Sequence, residues 1–171
     1  DHAKIVHNFG RNLSFKPLHM YSPINRDELI DILGEHKRGK IRVVASKHSW
    51  SALIETKDVL IDMSHFDYVK IQKNNLQTSV IVGAGCKVER LLKELNRKGL
   101  TIPSVGLIDQ QTIAGATSTG THGSGKHSLS HYIESLQLAC FDESGNSAQI
   151  VNIKKGEELQ AARCSLGCLG V

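Results

Sequence analysis

Aromatic side chains are scarce. Four Phe, three Tyr and a single Trp are spread over 171 residues. A protein that grips nucleic acid combines a basic stripe with stacking aromatics, and this chain has neither. Its net charge of +4 is scattered. The one basic cluster, His36, Lys37, Arg38 and Lys40, reads as a solvated helix end. Nucleic acid is therefore set aside as a partner, although a positive balance suits an anionic cofactor. Cysteine is sparse too. Cys86, Cys140, Cys164 and Cys168 are too few for a disulfide framework in a chain this long. They read as buried or half-buried thiols in a reducing, cytoplasmic setting, with Cys164 and Cys168 spaced like successive turns of a helix. No apolar run approaches the roughly 18 residues of a membrane span, and no leader pattern opens the sequence. The first residue is Asp1, as expected of a processed or excised chain. No third glycine follows Gly83-Ala84-Gly85. The Rossmann nicotinamide fingerprint needs that glycine and an acidic residue about 20 positions on, so that class is excluded.

What is present is ordinary globular composition, 40% hydrophobic and 22% charged. It predicts one domain, or two small lobes sharing a core. Residues 1–16 show no period and read as a loop or arm. The segment from Pro17 to Pro23 is short and extended. Asn25 caps a helix whose stripe is Leu29, Ile30 and Leu33, with Asp27 and Glu28 at its positive end and Gly39 as its stop. Ile41 to Ser46 is an apolar strand expected to be buried on both faces. It runs straight into the polar loop Lys47-His48-Ser49-Trp50-Ser51. Asp58 to Met63 is a further strand. Tyr68 to Gln72 and Thr78 to Val82 alternate, with Asn74 and Asn75 marking a hairpin turn. Lys87 to Lys98 carries Val88, Leu91, Leu92 and Leu95 on one helical face, and Gly99 stops it. Ser135 to Phe141 and Gln149 to Ile153 flank the turn Asp142 to Asn146. Gly156 to Arg163 is a helix. The apolar, glycine-spaced stretch up to Val171 is expected to lead into a further strand.

Gln110 to Gly125 stands apart. It holds four glycines, six Ser or Thr hydroxyls, one His and no net charge. It looks too polar for a core element and too rich in small residues for an ordinary surface helix. Such a backbone approaches a ligand closely and turns its N–H groups toward an anion. A cofactor pyrophosphate fits that chemistry. His122, His127 and His131 have loop spacing for a metal, but no carboxylate or Cys lies close in sequence, and no metal is expected.

Four segments in order carry a resemblance: NFGRNLSF, VVASKHSWS, VGLIDQQTIAGATSTGTHGSG and QAARCSLGCLGV. They resemble the FAD-binding domain of the vanillyl-alcohol oxidase / p-cresol methylhydroxylase (PCMH-type) flavoproteins, and most of all the sugar-lactone and alditol oxidase branch. The resemblance implies an α+β fold of two α/β lobes with FAD between them, the small lobe spanning about 17–100 and the larger about 101–171. It implies that His48 bonds covalently to the flavin 8α-methyl carbon, a task suited to a neutral imidazole. Ser46, Lys47, Ser49, Trp50 and Ser51 would lie along the pyrophosphate. Gly115, Thr119, Gly120, Thr121, His122, Gly123 and Ser124 match the cofactor-contacting run. Gln111 and Thr112 match the segment near the isoalloxazine. Leu107 departs from the pattern, standing where several relatives carry a small or hydroxylated residue near the substrate. The activity implied is oxidation of a CH–OH group of a sugar lactone or polyol, with hydride passing to flavin N5 and oxygen or another acceptor taking the electrons. The acid/base residues and the substrate belong to a C-terminal domain outside these 171 residues, so no catalytic residue is named. The alternative is a non-catalytic nucleotide or flavin-binding module; a related possibility within the fold is a reductase with non-covalent FAD, and against that one the histidine of Lys47-His48-Ser49 argues.

Overall fold

Strand order explains where the core lies. The computed structural model describes residues 4–73 and 77–171. Three short strands, β3 (His19–Tyr21), β4 (Ile41–Val44) and β5 (Val59–Asp62), form a parallel sheet in the order β3-β5-β4. β5 is the central strand, and Val59, Leu60 and Ile61 are wholly buried. The expectation that the Ile41 strand is the doubly buried one is corrected: β4 is an edge, mostly half-buried, and ends at Val44. Arg42 interrupts its apolar run, whereas β5 has no such break.

Each face of the sheet has its own cover. Helix α1 (Arg26–Glu35) packs Leu29, Ile32 and Leu33 against Val59, Ile61 and Met63. Asn25 caps it, its Oδ1 accepting from the Glu28 amide at 2.9 Å, while Glu28 Oε2 accepts from the Ile24 amide at 2.7 Å. The helix ends at His36, before Gly39. On the other face Leu60 and Val44 meet Val6, Ile54, Leu13 and Phe15. Val6 and Phe15 belong to a hairpin of β1 (Val6–His7) and β2 (Ser14–Phe15). The N-terminal arm expected from the sequence is thus an ordered two-strand ribbon.

Strands β6 (Val69–Lys73) and β7 (Thr78–Val82) pair antiparallel as expected; the Asn74–Asn75 turn lies outside the described residues. Helix α2 (Val88–Asn96) buries Leu91 and Leu95 against this hairpin and Val88 against Ala116 and Leu129. Gly99 follows at φ +69°, the left-handed stop foreseen for it. Helix α3 (Ile113–Ser118) lies inside the glycine-rich stretch. The expectation that this stretch holds no core element is corrected: Ala116 is fully buried and Thr117 nearly so.

β8 (Leu136–Phe141) and β9 (Ala148–Ile153) form the expected hairpin, with Gly145 at φ +70° in its turn. The hairpin lies against α1, where Ala139, Phe141, Ala148 and Ile150 join the first core cluster. Helix α4 (Gly156–Arg163) follows. Val171 exchanges both backbone hydrogen bonds with Ala139, at 2.9 and 2.7 Å. Cys164 and Cys168 lie beyond the end of α4 and are exposed, not buried on successive helical turns. Cys86 is buried, and burial raises its thiol pKa. Among the described residues no helix is long and apolar enough to cross a membrane.

Candidate functional site

The loop 46–51 leaves the C-terminal end of β4, the end at which parallel α/β sheets place ligands. Lys47 adopts φ +58°, a conformation L-residues rarely take. Its ammonium turns inward to Asp62 Oδ2 on β5, at 3.1 Å, and its carbonyl accepts from the Phe9 amide at 2.8 Å. The Phe9 ring stacks on the His48 imidazole with centroids 4.2 Å apart and planes 20° from parallel. Ser49 Oγ donates to the Ser51 carbonyl at 3.1 Å. Trp50, largely exposed, lies over Gly10, where an added Cβ would come within 2.4 Å of the indole.

The hairpin β1–β2 holds this loop from behind. Asn8 is 3% exposed. Its Nδ2 donates to the Ser49 carbonyl at 2.8 Å and to Asn12 Oδ1 at 2.7 Å, and its Oδ1 accepts from the Leu13 amide at 3.0 Å. Asn12 Nδ2 donates to the Trp50 carbonyl at 3.0 Å. Sequence reasoning gave these asparagines no role. The signal was there in NFGRN, two amide side chains around a Gly and an Arg at φ +54°. Asn8→Ala strands the Ser49 carbonyl and the Leu13 amide without partners, at a cost of about 1–3 kcal/mol. A lower melting temperature together with a lower flavin-to-protein absorbance ratio is the expected result; an unchanged ratio would show that the loop does not depend on this support.

The second segment meets the first at one point. The Thr112 amide donates to Ser46 Oγ at 3.2 Å, across 66 residues of sequence. Thr112 is the buried N-cap residue of α3. Gln111 accepts from the Thr121 hydroxyl at 3.5 Å. Beyond α3 the run is turned to its own needs. Thr119 Oγ1 donates back to the Gly115 carbonyl at 2.9 Å, and Gly120 stands at φ +70° just past the helix end. His122 Nδ1 is 3.0 Å from the Gly123 carbonyl. A Cβ on Gly123 would lie 2.0 Å from the Val105 carbonyl oxygen. Gly115, Thr119, His122 and Ser124 are exposed or half-exposed. Among the described residues no hydrogen bond links loop 46–51 to residues 119–124; the contact between segments runs through Ser46 and Thr112.

Between them lies a cavity of about 210 Å³ lined by Ala45, Ser46, Ser64, Asp67, Gly85, Lys87, Arg90 and Thr112. Lys87 is the N-cap residue of α2 and Arg90 lies in its first turn; neither was foreseen as a site residue. His48 has its pKa lowered, first by burial and then by the positive charge of Lys87. A neutral imidazole with a free ring nitrogen is a nucleophile at neutral pH. Hydroxyls and cations at the cavity, with an imidazole on the neighbouring loop, are chemistry suited to an anionic ligand.

Residues 17–145 match the family described as FAD binding domain. A long-chain alcohol oxidase from an uncultured marine euryarchaeote is 49% identical over 164 residues, 96% of this chain and 34% of that protein. An L-gulono-1,4-lactone dehydrogenase of Mycobacterium tuberculosis is 34% identical over 159 residues, 91% of this chain and 36% of that protein. The chain thus spans about a third of the length of the curated relatives it matches. Among solved structures, a solvent-stable cholesterol oxidase superposes with a TM-score of 0.86 at 18% identity, over 96% of this chain and 35% of that one. Cholesterol oxidase from B. sterolicum gives 0.84 at 17% identity, over 96% and 34%. At such identity the likeness speaks for the fold alone, the α+β fold of PCMH-type flavoproteins. On the match across residues 17–145, the chain belongs to the family of FAD-binding domains.

Proposed function

We propose that this chain is the FAD-holding part of an oxidoreductase acting on a CH–OH group, and that His48 bonds covalently to the flavin. The observation that carries it is the meeting of the two candidate loops at Ser46 and Thr112, beside a His48 kept neutral by burial and Lys87. The isoalloxazine supplies the hydride acceptor, and the protein supplies binding and orientation. Loop 46–51 lies along the diphosphate, and Gln111 and Thr112 stand toward the flavin ring. Gly115 and the run 119–124 line the rest of the cofactor's course. FAD lies between a small lobe of about 17–100 and a larger one of about 101–171. The groups that contact substrate belong to a C-terminal domain outside these 171 residues, so the chain alone turns over poorly or not at all.

The substrate class follows the relatives named lactone oxidases and dehydrogenases: a sugar lactone or polyol. A second reading rests on Leu107, which is wholly exposed. It stands in the segment leading to Thr112 and favours a longer, more apolar alcohol, in keeping with the relative named long-chain alcohol oxidase. The test is anaerobic bleaching of the flavin in the full-length protein, with gulono-1,4-lactone, a sugar alcohol and dodecanol offered separately. Bleaching by the lactone or polyol supports the first reading, and by dodecanol alone the second. No bleaching by any of them counts against both. A colourless protein that takes up no FAD would sink the flavin assignment.

A further inference from the structure

Lys87 holds an ammonium where electrostatics disfavours one. It is the N-cap residue of α2 and makes no side-chain cap. A helix N-terminus carries partial positive charge, and Ser, Thr, Asn and Asp are the favoured residues there. Yet the ammonium is fixed in place. It donates to Gln110 Oε1 at 3.0 Å. The Gln110 amide nitrogen in turn donates to Glu89 Oε2 at 2.7 Å and to Asp109 Oδ1 at 3.2 Å. The Lys87 backbone bridges to Thr112.

The surrounding cations sit in ion pairs, whereas Lys87 meets Glu89 only through its field. Lys47 pairs with Asp62, Arg90 with Asp67 at 2.9 Å, and Lys93 with Glu89. Among the described residues Lys87 makes no ion pair. Along the cavity wall the charges of Asp67 and Arg90 cancel, so Lys87 sets its net sign. Two hydroxyl residues that join the candidate loops, Ser46 and Thr112, share that wall. At about 210 Å³ the cavity is smaller than the roughly 300–1,000 Å³ of pockets that enclose a whole ligand. It is sized for part of a dinucleotide.

We propose that Lys87 is a binding residue for the diphosphate of the cofactor, its ammonium taking one of the two negative charges beside Ser46. This rests on the FAD reading above. The Lys87 side chain is exposed, so its share of the affinity is at most about fivefold and is screened by salt.

The probes are ADP, which carries the diphosphate, and riboflavin, which carries none. Each is titrated into full-length protein made flavin-free by riboflavin limitation. Lys87→Met should weaken ADP about fivefold at low salt and less at about 0.5 M salt, with riboflavin unchanged. Lys87→Arg should keep ADP within about twofold of wild type. An ADP affinity indifferent to Lys87→Met overturns the proposal. So does an equal loss of ADP and riboflavin, or an equal loss of ADP in the Met and Arg variants, which would assign the effect to packing of the stem. Wild-type protein that binds neither ADP nor FAD would bring down the FAD reading itself, and the proposal with it.

Discussion

Exchanging His48 for alanine is expected to move the flavin from the acid-precipitated pellet to the supernatant. The wild-type pellet should stay yellow and fluorescent, and the covalent fraction should fall about tenfold or more in the variant, because alanine offers no ring nitrogen to form the bond. A colourless wild-type pellet removes the covalent claim. The pH dependence adds a second reading of the same residue. Burial first, and Lys87 second, hold the His48 pKa below its usual 6.5. Flavin incorporation should therefore have its midpoint below pH 6.5, with the neutral imidazole the major form at that pH. The stability sign agrees. With the folded pKa below the unfolded one, the unfolded chain binds more protons between the two values. The contribution of His48 is thus present above the unfolded pKa and lost as pH falls through the folded one. An incorporation midpoint at or above about 6.5 would show that His48 is not the titrating group.

Gly85→Ala is expected to be the most disruptive single methyl in the chain. A Cβ at Gly85 would lie 1.9 Å from the Met63 carbonyl oxygen, and at Gly83 2.1 Å from that of Phe66. Neither obstacle is a flexible side-chain tip; both are backbone, and the Gly85 amide is itself bonded to the Phe66 carbonyl at 2.9 Å. The two segments must separate, at a cost of about 3 kcal/mol or more. For a domain of this size that lowers Tm by roughly 6–12 °C. Because Gly85 borders the cavity that Lys87 and Ser64 line, flavin affinity should fall with it. A melt within about 2 °C of wild type would mean that the 63–67 turn yields more easily than its hydrogen bonds suggest.

Local signals made much of this fold legible. Val88, Leu91 and Leu95 at helical spacing with Gly99 behind them specify α2. In the β8–β9 turn, Asp142 Oδ1 accepts from the Ser144 hydroxyl at 2.8 Å and from the Asn146 amide at 3.0 Å, closing the turn that the Asp-Glu-Ser-Gly-Asn run was read to make. What stayed hidden was whatever depends on partners far along the chain. Two-residue strands such as β1 and β2 have no period to detect. α3 is six residues long, too short for an apolar stripe to declare itself among glycines and hydroxyls. Whether β4 or β5 is central is decided by which of them has a strand on each side. In the site, His48 and the polar run were visible as residue types, and the family resemblance gave them a common purpose. The bond from Thr112 to Ser46 and the place of Lys87 at the cavity were not visible, because each is a meeting of segments distant in sequence.

The seating of the β8–β9 hairpin on α1 bears on the order in which the chain folds. Leu29, Ile32 and Leu33 come early in the chain, yet Ala139, Phe141 and Ile150 complete their cluster. While the chain grows on the ribosome, α1 and the parallel sheet emerge long before the hairpin that covers them. Until then an apolar flank stands open, and closing it requires contacts more than a hundred residues apart, which slows folding. That interval exposes the nascent chain to aggregation and makes it a natural client for a chaperone. Loop 46–51 grows from the same early sheet, so it acquires a rigid base only once the late hairpin has arrived.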